Sequence, residues 1–204
     1  MDIKYDEPGN RIDPILELLE TGEYDIEKSK IRDNFSQLWE FEDGDSLSAD
    51  IQYLTTVALF MYTAHNILGD YNVRQDKARK MIIAALTEWT SADREKDIAE
   101  EKASENPFTA FIEKQQPKID SVYTWESFLL DHKKADEKEW TYKIDKCWFA
   151  QFFIRFGRTD YIETACCFDQ IPAKSREDYV DLKLNNMFMK LGSYCKFKYT
   201  PKKN

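Results

Sequence analysis

The residues best suited to covalent or acid–base chemistry lie in the last third of the chain: Cys147, Cys166, Cys167, Asp169 and Cys195. A thiol acts as a nucleophile through its thiolate, and a neighbouring carboxylate can take the proton that must leave. On a helix from about residue 160, Ile162, Cys166 and Asp169 fall on one stripe, which makes Cys166 and Asp169 neighbours at i, i+3. Cys147 opens a second helix, in line with Gln151 and Ile154, where the positive end of the macrodipole favours a thiolate. Cys195 alternates with Phe197 and Tyr199 and points to the core side of a strand. Three thiols from three elements can therefore meet one carboxylate, while Cys167, on another helical face, reads as packing.

Other chemistries are poorly served. No C-x-x-C or H-x-x-x-H pair is present, so no metal site is expected. His65 sits in an apolar helix as a core histidine, and His132 lies in the solvated run DHKKADEKE. No P-loop, G-x-G-x-x-G or Ser-His-Asp pattern can be quoted, and no cofactor is expected. Asn186 interrupts an otherwise apolar strand face, where an unpaired amide costs about 1–3 kcal/mol, so either it lines a polar cavity, the reading favoured here, or a bulge turns it outward.

The elements that must position these groups change character along the chain. Asp13-Pro14 before ILELLE starts a helix that Gly22 stops. Ile31, Phe35, Leu38 and Trp39 recur at helical spacing, and Ser48 to Leu68 forms a long apolar helix closed by Gly69. Asn72 with Gln75 resembles a capping box ahead of the stripe Ala78, Met81, Ile82, Ala85, Leu86 and Trp89. Residues 91–106 are nearly all polar and read as a solvated helix or linker, and Pro107 and Pro117 bracket a short helix. Trp140, Tyr142 and Ile144 then alternate with Thr141, Lys143 and Asp145 as a half-buried strand. Trp148, Phe149, Phe152, Phe153 and Phe156 return to helical spacing with Gly157 as C-cap. Ser175 with Asp178 caps a turn. Leu182, Leu184, Asn186 and Phe188 share one strand face, Leu191-Gly192-Ser193 turns the chain, and the Cys195 run completes a hairpin. The expected fold is α+β, a helical N-terminal two thirds packed on a small antiparallel sheet with interspersed helices. Residues 1–45 are read as a helical extension and 46–204 as the α+β domain.

The chain has 204 residues, 38 Asp+Glu against 29 Lys+Arg, and a formal net charge of -9. That balance lacks the cations a nucleic-acid backbone requires. The 14% of aromatic residues need an interior, which argues against disorder. The most apolar stretch, Leu54 to Ala64, contains three Thr and is too short for a bilayer, and the acidic opening has no apolar leader. A cytoplasmic protein with reduced thiols and no membrane partner is the expectation.

The order Cys147, FIRFG ending in Gly157, Cys166-x-x-Asp169, then Gly192 before Cys195-x-Phe197, resembles the L-2-amino-thiazoline-4-carboxylic acid hydrolase family. The likeness covers about residues 140–200 well and Leu68 to Trp89 more loosely. It implies hydrolytic opening of a 2-aminothiazoline ring to N-carbamoyl-L-cysteine, with Cys166, Asp169, Cys147 and Cys195 as catalytic candidates. A substrate carboxylate would then want a cation, and Arg155 or Arg158 on the Cys147 helix can supply one, with Asn186 as a further binding candidate. The same core can instead serve a non-catalytic domain that binds a small ligand. A third reading is a helical interaction protein whose 48–68 helix forms a homo-oligomer face.

Overall fold

The computed structural model describes residues 7–190 and 192–202, with the side chains of Glu126 and Met189 left aside. After a 3-10 turn at Pro8–Arg11, helices α1 (Asp13–Glu17), α2 (Lys28–Phe41), α3 (Ala49–Asp70), α4 (Gln75–Trp89), α5 (Ser91–Lys102), α6 (Pro107–Val122) and α7 (Trp125–Phe128) precede the first strand. Strands β1 (Leu130–Asp136) and β2 (Glu139–Ile144) form a hairpin, followed by α8 (Trp148–Arg155), α9 (Ile162–Phe168) and α10 (Ile171–Lys174). Strands β3 (Val180–Asn185) and β4 (Cys195–Pro201) close a four-stranded antiparallel sheet in the order β1-β2-β4-β3. The architecture is α+β, as the change of hydrophobic period predicts.

Helix α3 is the centre of the helical part. Thirteen of its 22 residues are buried, because its apolar positions run all round the cylinder rather than down one stripe. It packs against α2, α4, α6 and α8, so it is an interior helix and not the free oligomer face considered above. One hydrophobic core runs from Ile12 through α3 to Tyr199, and it includes Ile31, Phe35 and Trp39 of α2.

Several boundaries differ from the sequence reading. Helix α3 passes through Gly69 to Asp70. Helix α4 has Arg74 at its N-cap without a side-chain cap, and Asn72 takes a left-handed turn (φ 60) instead of forming a capping box. Residues 91–102 are a helix that buries Asp97 and Glu101, since both acids find cationic or amide partners from neighbouring elements. Helix α6 does not stop at Pro117. Asn106 caps its start by accepting from the Thr109 N–H at 3.1 Å, and the exposed proline sacrifices one backbone hydrogen bond while Ile112 and Ile119 keep the helix seated. The run around His132 is a strand, β1, in which exposed His132 meets Asp120 at 2.7 Å. Ser175 is the C-cap of α10, its hydroxyl bonding back to the Ile171 carbonyl at 2.9 Å, while Asp178 pairs with Lys102 instead. Leu191 and residues 1–6 lie outside the described residues.

The inner face of the sheet positions the site. In the β2–β4 register Ile144 faces Cys195, Tyr142 faces Phe197 and Trp140 faces Tyr199. All six side chains are buried. The alternation that sends Lys143, Lys196 and Lys198 outward thus lines up two thiol-end and four aromatic positions in two parallel rows.

Candidate active site

Cys147, Cys166, Asp169 and Cys195 face one small cavity, closed by Ile144, Leu184, Met187 and Phe197. It holds about 10 Å³, the room of a single water molecule. Each thiol arrives on its own element. Cys147 is the N-cap of α8, and its Sγ accepts the Ala150 N–H at 3.4 Å. Gly157, at φ +69 with nothing near the position of a Cβ, ends that helix after one turn more of aromatic packing. Cys166 is on α9, and Asp169 is the residue that caps it, one turn further on. Cys195 begins β4, and its Sγ accepts the Phe188 N–H at 3.4 Å. All four cysteines are free, and Cys167 is half-buried.

The electrostatics of this cavity run against the expectation for Cys147. The backbone N–H groups of Phe149 and Ala150 do pull its thiol down, but burial and the nearby Asp169 carboxylate outweigh them and push it well above the ordinary thiol range. Burial likewise raises Cys166, with Asp169 adding to the effect. It raises Cys195 to about 11. Asp169 itself is pushed up to about 7 by burial, although the Tyr123 hydroxyl, which donates to its Oδ1, opposes that rise. The group in the cavity poised to exchange a proton near neutrality is therefore the carboxyl.

Asp169 also forms part of the wall of a second, larger cavity of about 290 Å³. The sheet passes beneath both. Ile144, Phe197 and Cys195 lie under the thiol cavity, and Trp140, Tyr142 and Tyr199 lie under this cleft. Tyr142 and Tyr199 join hydroxyls at 3.1 Å, and burial raises both well above the usual phenol range. Tyr53, stacked on Trp89 at 6.2 Å, is pushed up to about 12 by burial, helped by the Asp169 charge. Tyr123 stacks on Phe128 at 4.0 Å directly after α6.

The other candidates stand elsewhere. Asn186 follows β3 in a left-handed conformation (φ 52) and is exposed, so it lines neither cavity, and its backbone carbonyl abuts Gly192 where a Cβ would come within 2.5 Å. The strand face ends at Asn185, which is why the amide escapes burial. Arg155 is exposed, pairs with Glu42 and lies over Phe152 and Phe156. Arg158 pairs with Asp160 at 2.8 Å and covers the Tyr161 ring at 3.6 Å, in a separate pocket with His65. His65 bonds Thr164 Oγ1 at 2.8 Å and stacks on Tyr161 at 4.2 Å, a satisfied core histidine as expected. Among the described residues no group of three or more His, Cys, Asp or Glu is arranged to hold a metal.

The residues that sequence reasoning missed are Tyr53 and Tyr123, together with the charged residues of the cleft. Tyr123 lies beyond Pro117, where the sequence predicts the helix to stop, so its i−4 relation to Ile119 carries no signal. Arg94 and Asp97 belong to the polar run that reads as solvated, Lys118 lies beyond that same proline, and only the tertiary pairing of α5 with α6 turns them toward a cavity.

A helical part on an antiparallel sheet, with thiols and an aspartate converging at their junction, defines an α+β protein with a cysteine–carboxylate site. The family model for L-2-amino-thiazoline-4-carboxylic acid hydrolase matches residues 51–199, and the chain belongs to that family. No curated protein matches the chain. Among solved structures, that of an Fe(II) unliganded H-NOX protein from K. algicida aligns over 97% of each chain at 8% identity. Its TM-score of 0.41 is too low for the likeness to inform either fold or function. No helix among the described residues is long and apolar enough to cross a membrane.

Proposed function

We propose that the protein is a hydrolase that opens a small amidine-type ring at its C–S bond, with 2-aminothiazoline-4-carboxylate as the type substrate. The observation that carries this reading is the meeting of Cys147, Cys166 and Cys195 with Asp169, a carboxyl held near 7, in one cavity beside a cleft large enough for a substrate. Cys166 is the nucleophile and Asp169 its base. As the Cys166 sulfur attacks the amidine carbon, Asp169 takes the thiol proton, so no free thiolate needs to persist in the buried cavity. The ring C–S bond then breaks, and the departing sulfur recovers that proton from Asp169. Water adds to the same carbon and displaces Cys166, leaving N-carbamoyl-cysteine and the thiol restored.

The test is turnover of 2-aminothiazoline-4-carboxylate followed by free-thiol release. Cys166→Ala and Asp169→Asn are expected to lower kcat by at least about a hundredfold, the usual weight of a nucleophile or base. Undiminished turnover in Cys166→Ala overturns the nucleophile assignment. A non-catalytic binding domain is the second reading, favoured by the elevation of all three thiols. It predicts saturable binding without turnover in the unaltered protein.

A further inference from the structure

The large cleft has a charge distribution of its own. Three cations line it: Arg94, Lys118 and Arg176. Lys118 is held by the Asp97 carboxylate. Arg176 is fully buried and forked onto Glu101, with Nε–Oε2 at 2.6 Å and Nη2–Oε1 at 2.8 Å. Arg94 differs. It is half-buried, and its guanidinium donates to Thr90 Oγ1 at 2.7 Å and to the Thr87 carbonyl at 2.9 Å, both neutral acceptors. Among the described residues no carboxylate lies within ion-pair distance of it. Two of its five N–H groups are thereby used, and its charge meets no ion-pair partner among the described residues.

Its surroundings make that charge costly to leave alone. Burial and the neighbouring Arg176 guanidinium both disfavour the charged form, while Glu88 and Glu95 act on it only from a distance. Asp93 also lines the cleft but is exposed, where water screens it. Much of the remaining wall is apolar: Phe111, Trp140, Phe168 and Tyr199 offer ring faces and edges to a flat body, beside Ile119 and Ile171, while the Asp97 and Asp169 side chains also reach the lining. A half-desolvated guanidinium beside aromatic walls suits a planar monoanion, because the carboxylate satisfies the fork and the body displaces water from the rings.

We propose that this cleft binds carboxylates carried on a small ring, with Arg94 as the anchor of the carboxylate group. The assignment deepens the hydrolase reading and rests on it for the reaction that follows binding. It places the substrate acid at Arg94 and the reacting ring on the Asp169 side. It also admits acids whose body is an aromatic ring system in place of the partly saturated thiazoline, since much of the wall is ring-lined.

Isothermal titration of the full chain with 2-naphthoate and its uncharged counterpart 2-naphthamide tests the anchor. The unaltered protein is expected to bind the naphthoate about tenfold or more tightly over the naphthamide, the scale of a charge-assisted bond. Arg94→Gln should erase that preference while naphthamide affinity stays unchanged, which also reports an intact cleft. Arg94→Lys should retain part of it. Equal affinities in the unaltered protein, or an undiminished preference in Arg94→Gln, overturn the proposal. The same titrations on Cys166→Ala separate the two readings. A retained naphthoate preference there supports the anchor whether or not turnover is lost, whereas the nucleophile assignment is decided by turnover alone.

Discussion

Tyr123 donates its phenolic hydroxyl to Asp169, and Asp169 stands in the wall between the thiol cavity and the aromatic cleft. The donor holds the carboxyl down while burial drives it up, and the balance falls at about 7. One residue thus lines both the cleft and the thiol cavity, and its protonation is set by burial against a neighbour supplied from the far end of α6.

Removing that donor should move the balance in a known direction. In Tyr123→Phe the Asp169 carboxyl loses the interaction that favours its charged form, so its pKa rises above about 7. The acidic limb of kcat/KM should shift to higher pH by roughly one unit, the scale of one hydrogen bond to a charged group. A limb that stays in place shows that Asp169 is not the titrating base.

Asp169 also carries a stability signature. Its folded pKa, about 7, lies above the ordinary carboxyl value of 3.8, so between those pH values the native state binds more protons than the unfolded chain. The stability this contributes is present at low pH and is lost as pH rises through 7. Wild-type protein should lose roughly 3 kcal/mol between pH 5 and pH 8 from this source, and Asp169→Asn should flatten that slope in urea unfolding.

His65 works in the opposite sense. Burial, with Arg158 nearby, lowers its pKa from 6.5 to about 4, so the unfolded chain binds the extra proton between those values. Stability falls as pH drops from 6.5 toward 4. A His65→Gln variant should be less acid-sensitive, by roughly 2 kcal/mol at pH 4.5, when denaturant midpoints are compared with those at pH 7.

The thiols should be slow toward alkylation in the folded protein. Cys147, Cys166 and Cys195 are buried and pushed up in pKa, whereas Cys167 is half-buried and outside the cavity. Mass spectrometry after iodoacetamide at pH 7 should find Cys167 labelled first and the other three only after denaturation. Rapid labelling of Cys166 in the native state contradicts this ordering.

The Arg176–Glu101 pair links α5 to the segment after α10, with Tyr179 also donating to Glu101 and Arg176 to the Pro172 carbonyl at 3.0 Å. Glu101→Gln leaves a buried guanidinium with only Asp97, at 3.9 Å and shared with Lys118, as counter-charge and should cost about 3 kcal/mol in chemical unfolding. A double change of Glu101 and Arg176 to Leu and Met should recover much of that loss.

The sheet and the aromatic helix were legible because their periods differ: Trp140, Tyr142 and Ile144 alternate by two, and Phe149, Phe152 and Phe153 by three or four. Cys166 and Asp169 were legible as neighbours for the same reason, since spacing on one helix fixes their separation. Burial was not. The N-terminal position of Cys147 suggested a lowered thiol, and only the closure of the cavity around it shows desolvation winning. The polar run carrying Arg94, Asp97 and Glu101 looked solvated because its partners, Lys118 and Arg176, lie 21 and 75 residues away. Nothing local announces such pairs. Asn186 failed as a cavity residue for a smaller reason, because the strand ended one residue before it.

Strand β1 lies at one edge of the sheet, exposed for most of its length, with its register broken between His132 and Lys134 and with Lys133 and Lys134 along it. Such an edge makes a poor template. A strand arriving from another molecule meets the Lys133–Asp131 and Lys134–Asp136 ion pairs and a break in register it cannot follow, which disfavours edge-to-edge pairing there. The charged run that looked like mere solvated filler thereby guards against aggregation a sheet rich in aromatic residues.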